Sequence, residues 1–301
     1  MKAMLVHLFG RMARAKAVSA GSPHARWIAA VASLFVLVGS ILSARALDLA
    51  WGDLRTTPLA LAAVSGVALI PLNAAEYRLT SRLSGIDVGL ASSVHTTILA
   101  SAVNSLPIPA GAAVRIQGLR EAGNSTRRAA ASTGSVALLW LGISGLAAGA
   151  SLLVLGDPGT ALLFGGAGLV FTPAAGLLIK GLESGSALLG RAVVVELLFV
   201  ALATLRFLLV VKGVGIDIEV AQAVVIAGSS ALASAVGVIP GVFGLFEGIA
   251  AGLAVVVGLP ASAGFLATAI LRLLSAATFG LAALTLTVRK PTGGQSTGSA
   301  T

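Results

Sequence analysis

The 301-residue chain has no cysteine, one tyrosine and three histidines. Without a thiol, disulfides, thiolate metal sites and cysteine nucleophiles are excluded. Charge is scarce as well: 10% of residues are charged, where a soluble domain carries about 25%. Apolar residues take up the difference, with 57% hydrophobic content and a mean hydropathy of +1.00. Several runs approach the roughly 20 apolar residues that a helix needs to cross a bilayer core. The sequence is that of an integral membrane protein.

A net charge of +9 raises nucleic acid as a partner, but its distribution argues against one. The basic residues occupy short segments between apolar runs, as membrane topology requires. No continuous basic face or aromatic platform accompanies them.

The first 26 residues hold Lys2, Arg11, Arg14, Lys16 and Arg26 and no acid, and they precede an apolar run from Trp27 to Ala44. "SARA" at 43–46 loosely resembles a cleavage site, yet more apolar runs follow, so an uncleaved first span is expected. Those runs cover about 58–77, 88–109, 129–155, 160–180, 192–211, 220–238, 241–258 and 261–288. Three regions result: a basic cytoplasmic segment 1–26, a transmembrane domain 27–288, and a small, polar tail 289–301 expected to be disordered.

Positive charge sets the expected orientation. With a cytoplasmic N-terminus, the segment with Arg78 and Arg82 faces in, and so should the next one, with Arg115, Arg120, Arg127 and Arg128. Only 88–109 separates them, and one crossing cannot return to its starting side. That stretch, with His95, Thr96, Thr97, Ser101, Asn104 and then "LPIPAG", is therefore expected to enter and leave on one face. Broken helices persist in membranes only when buried in protein or lining a wet cavity. On this topology fifteen Lys or Arg lie inside, three outside and two within helices, with both termini cytoplasmic.

"VIPGVFG" at 238–244 breaks a second segment, and the two breaks share a lead-in. "SGIDVGLASS" at 84–93 precedes the first, and "VGIDIEVAQA" at 214–223 precedes the second. The expected fold is thus an all-α polytopic membrane protein with about six full spans and two re-entrant segments. The two halves form an inverted repeat, a pattern that places transporter sites at the midplane.

Glu247, beside the second break, is the strongest functional candidate, because a charge at mid-membrane costs about 2.5–3.5 kcal/mol and faces protein or water. It could equally cap the half-helix that follows Pro240 and Gly241. Gly237, Gly241, Gly244, Gly248 and Gly252 form small-xxx-small spacings that favour packing. Arg272, near the centre of the last run, needs a partner, either Glu247 or an anionic headgroup. Arg115 follows the first break, and it also fits as a loop cation. Glu196 and Arg206 share a helix but lie about 280° apart around it, so each is expected near its own membrane face.

Enzyme motifs are weak. "GISG" at 142–145 invites comparison with intramembrane serine proteases, but His7, His24 and His95 all precede Ser144, whereas the catalytic base of such enzymes follows the serine. No GxxxxGK loop or metal-ligand cluster is present in the sequence, so neither an enzyme nor a cofactor is expected.

The stretch from Gly215 to Gly280 resembles the flippase-like transmembrane domain of lysylphosphatidylglycerol synthase, and the resemblance covers about residues 25–290, strongest in the last eighty. Pro240, Gly241, Gly244, Glu247, Gly258, Pro260 and Arg272 match that family's later signature. Asn104, Pro107, Gly111 and Arg115 follow the earlier one, while Pro109 and Ala112 replace its arginine and glutamate. The resemblance implies a stand-alone protein of the bacterial plasma membrane that lacks the aminoacyl-transferring domain. It further implies a lipid or lipid-linked substrate moved between leaflets, with Glu247, Arg272, Arg115, Asn104, Pro240, Gly241 and Gly244 as candidate contacts. The alternative is a non-transporting scaffold for a lipid-modifying or glycosyl-transferring enzyme, with a membrane enzyme or a second copy as partner.

Overall fold

The computed structural model describes residues 23–104, 111–182, 185–236 and 244–288. The segment before Pro23, the tail from Arg289, and both proline breaks, with Pro240 and Gly241, lie outside the described residues. The described chain is helical without strands. Helix α1 spans Pro23–Ala46 and continues through the "SARA" stretch. It is followed by α2 (Thr56–Leu83), α3 (Leu90–Asn104) and α4 (Gly111–Glu121). Next come α5 (Thr126–Val154), α6 (Pro158–Lys180) and α7 (Gly185–Gly213). The last four are α8 (Val220–Ala227), α9 (Ser229–Val236), α10 (Leu245–Val256) and α11 (Ala261–Val288). Five of them, α2, α5, α6, α7 and α11, are long and apolar enough to cross a membrane.

The helices are irregular where the sequence supplies a reason. After α2 the chain turns at Gly85 (φ 87°), and after α7 at Gly215 (φ 82°). A Cβ would strain that left-handed backbone. Both turns close with the same hydrogen bonds: Ile86 N–H donates to Ser81 O and Ile216 N–H to Val211 O, each at 3.1 Å. This is the Schellman pattern, which satisfies the last carbonyls of a helix. The shared "GID" letters are thus a shared structure.

Helices α2 and α7 pack together in opposite directions. Arg55 N–H, at the start of α2, donates to Gly213 O at the end of α7 over 2.8 Å. At the other end, Leu79 and Leu83 of α2 share a core cluster with Leu188 and Ala192 near the start of α7. The helices that follow exchange partners between halves: α5 packs on α8, and α11 packs on α3. Reciprocal contacts of this kind are what an inverted repeat requires.

The re-entrant expectation holds in both halves. Asn124 Nδ2 donates to Ser84 O (3.2 Å), which ties the loop after α4 to the turn before α3. Tyr77, Val88, Leu119 and Ala129 close the same corner. Opposite, Gln222 Nε2 at the start of α8 donates to Val257 O just beyond α10 (2.8 Å). Each hairpin therefore enters and leaves on one face, and the two use opposite faces.

Arg78, Arg82, Arg120, Arg127, Arg128, Lys180 and Arg191 gather on the α3–α4 face. Arg45, Arg55 and Lys212 lie on the other, with Asp48, Asp53, Asp157, Asp217 and Glu219. Between α5 and α6 there is hardly any side-chain volume. A Cβ on Gly149 would sit 2.6 Å from Gly165 N, and one on Gly168 2.6 Å from Leu146 N. Small residues allow this close approach in a solvent where apolar burial between helices gains little.

Candidate functional site

Glu247 stands in the first turn of α10, just past Gly244, whose φ of 90° turns the chain into the helix. Its side chain is fully buried. Oε2 accepts the Gly244 N–H at 3.0 Å, and Oε1 lies 3.1 Å from Arg272 Nη1 on α11. Helix cap and charge partner are therefore one residue. The Glu247–Arg272 contact is close but poorly aligned, because neither of those two atoms meets hydrogen-bond geometry. Its attraction is thus mainly Coulombic, and strong only because water is largely excluded. Arg272 also lies over the Phe246 ring, 5.4 Å from its centroid, a favourable arrangement for a guanidinium.

Arg272 opens onto a cavity of about 290 Å³ between the halves. The end of α3 contributes Ser101 and Asn104, and the α8–α9 break contributes Ser229 and Ser230. Thr268 and Ser275 come from α11, and Arg206 from α7. Arg206 was expected near a membrane face, but it is 6% exposed. It donates from Nη2 to Ser275 Oγ at 3.1 Å, and its buried Nε has no hydrogen-bond partner. Among the described residues no carboxylate lies within ion-pair distance of Arg206. Two guanidiniums and several hydroxyls thus face one space near the tips of both hairpins. Of the two, only Arg272 has a carboxylate partner. Such a cavity favours an anion.

Asn104, the last residue of α3, borders this cavity and accepts Gly111 N–H on Oδ1 at 2.9 Å. It caps α4 as Glu247 caps α10.

Arg115 lies elsewhere. It donates from Nη1 to Glu76 Oε2 (2.8 Å) and from Nη2 to Asn73 Oδ1 (2.7 Å), both on α2. Asn73 is itself anchored through Nδ2 to Leu69 O at 2.7 Å. Glu196 on α7 is within electrostatic range of both Glu76 and Arg115. It too was expected near a face, yet it is 1% exposed and its Oε1 has no hydrogen-bond partner. The buried charges therefore form two clusters, and Glu76 was not among the sequence candidates.

A signal for Glu76 was present. Glu76 lies nine residues before Gly85, and Arg206 nine before Gly215; Gly66 and Glu196 each lie nineteen before the same glycines. A Cβ on Gly66 would lie 3.3 Å from Arg206 Nη2. Both position pairs thus meet across the α2–α7 contact, as a two-fold relation demands.

Among the described residues no group of three or more His, Asp or Glu could hold a metal ion. Compared with known families, curated proteins and solved structures, the chain gives no significant match.

Proposed function

We propose that this protein binds a lipid or lipid-linked molecule by an anionic, phosphate-bearing headgroup and carries that headgroup between leaflets. The observation behind this reading is the cavity at the hairpin tips, where Arg206 and Arg272 converge. Guanidinium forks match phosphate oxygens, and the surrounding hydroxyls replace water that the headgroup sheds. The location fits the task, since a transporter with inverted repeats works at their interface. Glu247 balances Arg272 while the cavity is empty and fixes the guanidinium for the next headgroup. The resemblance to the flippase-like domain points the same way, and the arginine-rich face would be cytoplasmic under the positive-inside rule. The host membrane would be the bacterial plasma membrane.

The test is native mass spectrometry of gently purified protein, comparing retained lipids in wild type, Arg206→Gln, Arg272→Gln and Glu247→Gln. A phosphate lipid kept by wild type and lost by folded arginine variants supports the reading and justifies a flipping assay in liposomes. Bulk lipids only, unchanged by substitution, would favour the scaffold reading. In that case Gly248 and Gly252, whose outer faces meet no other residue, become the contact to probe.

A further inference from the structure

We propose that Glu76 and Glu196 hold one exchangeable proton between them and form an ion-coupling site distinct from the headgroup cavity. The use of that proton in transport rests on the proposed function, whereas the site itself rests on geometry. Arg115 is engaged by Glu76 at 2.8 Å, and Glu196 faces that pair across the α2–α7 contact, in the same register that sets Gly66 against Arg206. Glu196 Oε1 is buried without a hydrogen-bond partner. With both acids ionised the cluster carries one uncompensated negative charge in a medium where that is costly. One proton on Glu196 restores neutrality.

The surroundings leave that role to a proton. Helix α2 presents Glu76 and α4 presents Arg115 to Glu196, while α5, α6, α8 and α11, also packed on α7, bring it no interacting charge. A metal cation needs several oxygen ligands, and here the Glu76 carboxylate is already engaged by Arg115. A route for the proton is also visible. Glu76 lies about 10 Å along α2 from its end on the arginine-rich face, and Glu196 about 16 Å along α7 from the same face. The Glu76 side chain keeps 13% exposure, whereas Glu196 is closed off. A hydronium ion on that face gives its proton to a Glu76 oxygen and is left as water; the new Glu76 O–H bond then breaks as the proton bonds to Glu196, leaving Glu76 ionised against Arg115. The cluster gains one positive charge.

Infrared difference spectroscopy of the full-length protein in lipid tests the site without any transport. A protonated-carboxyl C=O band that fades as pH rises is expected in wild type and in Glu247→Gln, and is lost in Glu196→Gln. Should Glu196→Gln fail to fold, Glu76→Gln retains the acid but removes its like-charged neighbour, and the pH at which the band fades must move. A missing band, a band unchanged by both substitutions, or a band that follows sodium in place of pH overturns the proton site. In proteoliposomes containing an anionic phosphate lipid, a pH gradient should speed lipid movement several-fold in wild type and not at all in Glu196→Gln. Movement indifferent to the gradient overturns coupling. If wild type neither binds nor moves the lipid, the proposed function fails, and the infrared result still decides the proton site.

Discussion

The two buried charge clusters sit at equivalent places along the α2–α7 contact and have opposite balances. In one, Glu76 and Glu196 outnumber Arg115; in the other, Arg206 and Arg272 outnumber Glu247. The reversal turns on two position pairs. Glu76 corresponds to Arg206, and Glu196 to Gly66, where a missing side chain leaves the guanidinium room. A symmetric scaffold thus supports two buried clusters of opposite charge balance. The backbone fixes where charge can be housed, and single side chains fix its sign.

The sharpest way to break this comparison is to unbalance the second cluster. Arg272→Gln leaves Glu247 buried beside a neutral amide, and stranding one partner of a buried pair costs about 3–5 kcal/mol. A large drop in melting temperature in detergent is expected, and most of it should return in the double variant Glu247→Gln/Arg272→Gln. Headgroup retention should not return, because the cation is gone. Overpacking the glycine seam comes next. Gly149→Leu forces a side chain against Gly165 and should cost about 1–3 kcal/mol, with the retained lipid species unchanged. Losing selectivity along with stability there would mean that the α5–α6 seam shapes the cavity.

Arg206→Gln sharpens the comparison more gently. Among the described residues this guanidinium has no carboxylate to strand, so stability should change little. Anionic lipid affinity should fall roughly ten-fold, about 1.4 kcal/mol, as measured by lipid titration in native mass spectrometry. An affinity equal to wild type would remove Arg206 from the site. The smallest effect lies at the membrane surface, where Asp87 receives Arg82 Nε and Nη2 at 3.2 and 3.1 Å. That hydrogen bonding holds the Asp87 carboxyl below the ordinary range. Its stabilisation is present above the unfolded-state pKa and fades as pH falls through the lower folded value. Asp87→Asn should therefore lower the melting temperature slightly at neutral pH and not at all in strong acid.

Much of this architecture was legible in the sequence. Counting arginines on either side of 88–109 was enough to require a hairpin, because a helix crosses once and charge prefers one side. Glu247 and Arg272 were recognisable as partners because each is too costly to leave alone in an apolar run. Glu196 and Arg206 were misplaced because an angle around their own helix says nothing of a partner on another. Those partners lie on α2 and α11, distant in sequence and brought close by the two-fold packing. Glu76 was hidden for a related reason: beside Arg78 and Arg82 it looks like part of a charged helix end. Only its equal spacing with Arg206 from the two "GID" turns distinguishes it. Pro240 and Gly241 lie outside the described residues, so their part in the second break stands as an expectation.

The exchange of partners between halves also sets an order of events during synthesis. Helix α3, with its buried Ser93, Thr96 and Thr97, finds its neighbour α11 only after more than 150 further residues have been made. At ribosomal speeds of 5–20 residues per second that is a wait of roughly 8–30 s. Throughout that interval the first hairpin has only its own half to pack on. A stop codon between α5 and α11 would therefore leave the first-half hairpin made but without the helix it packs on.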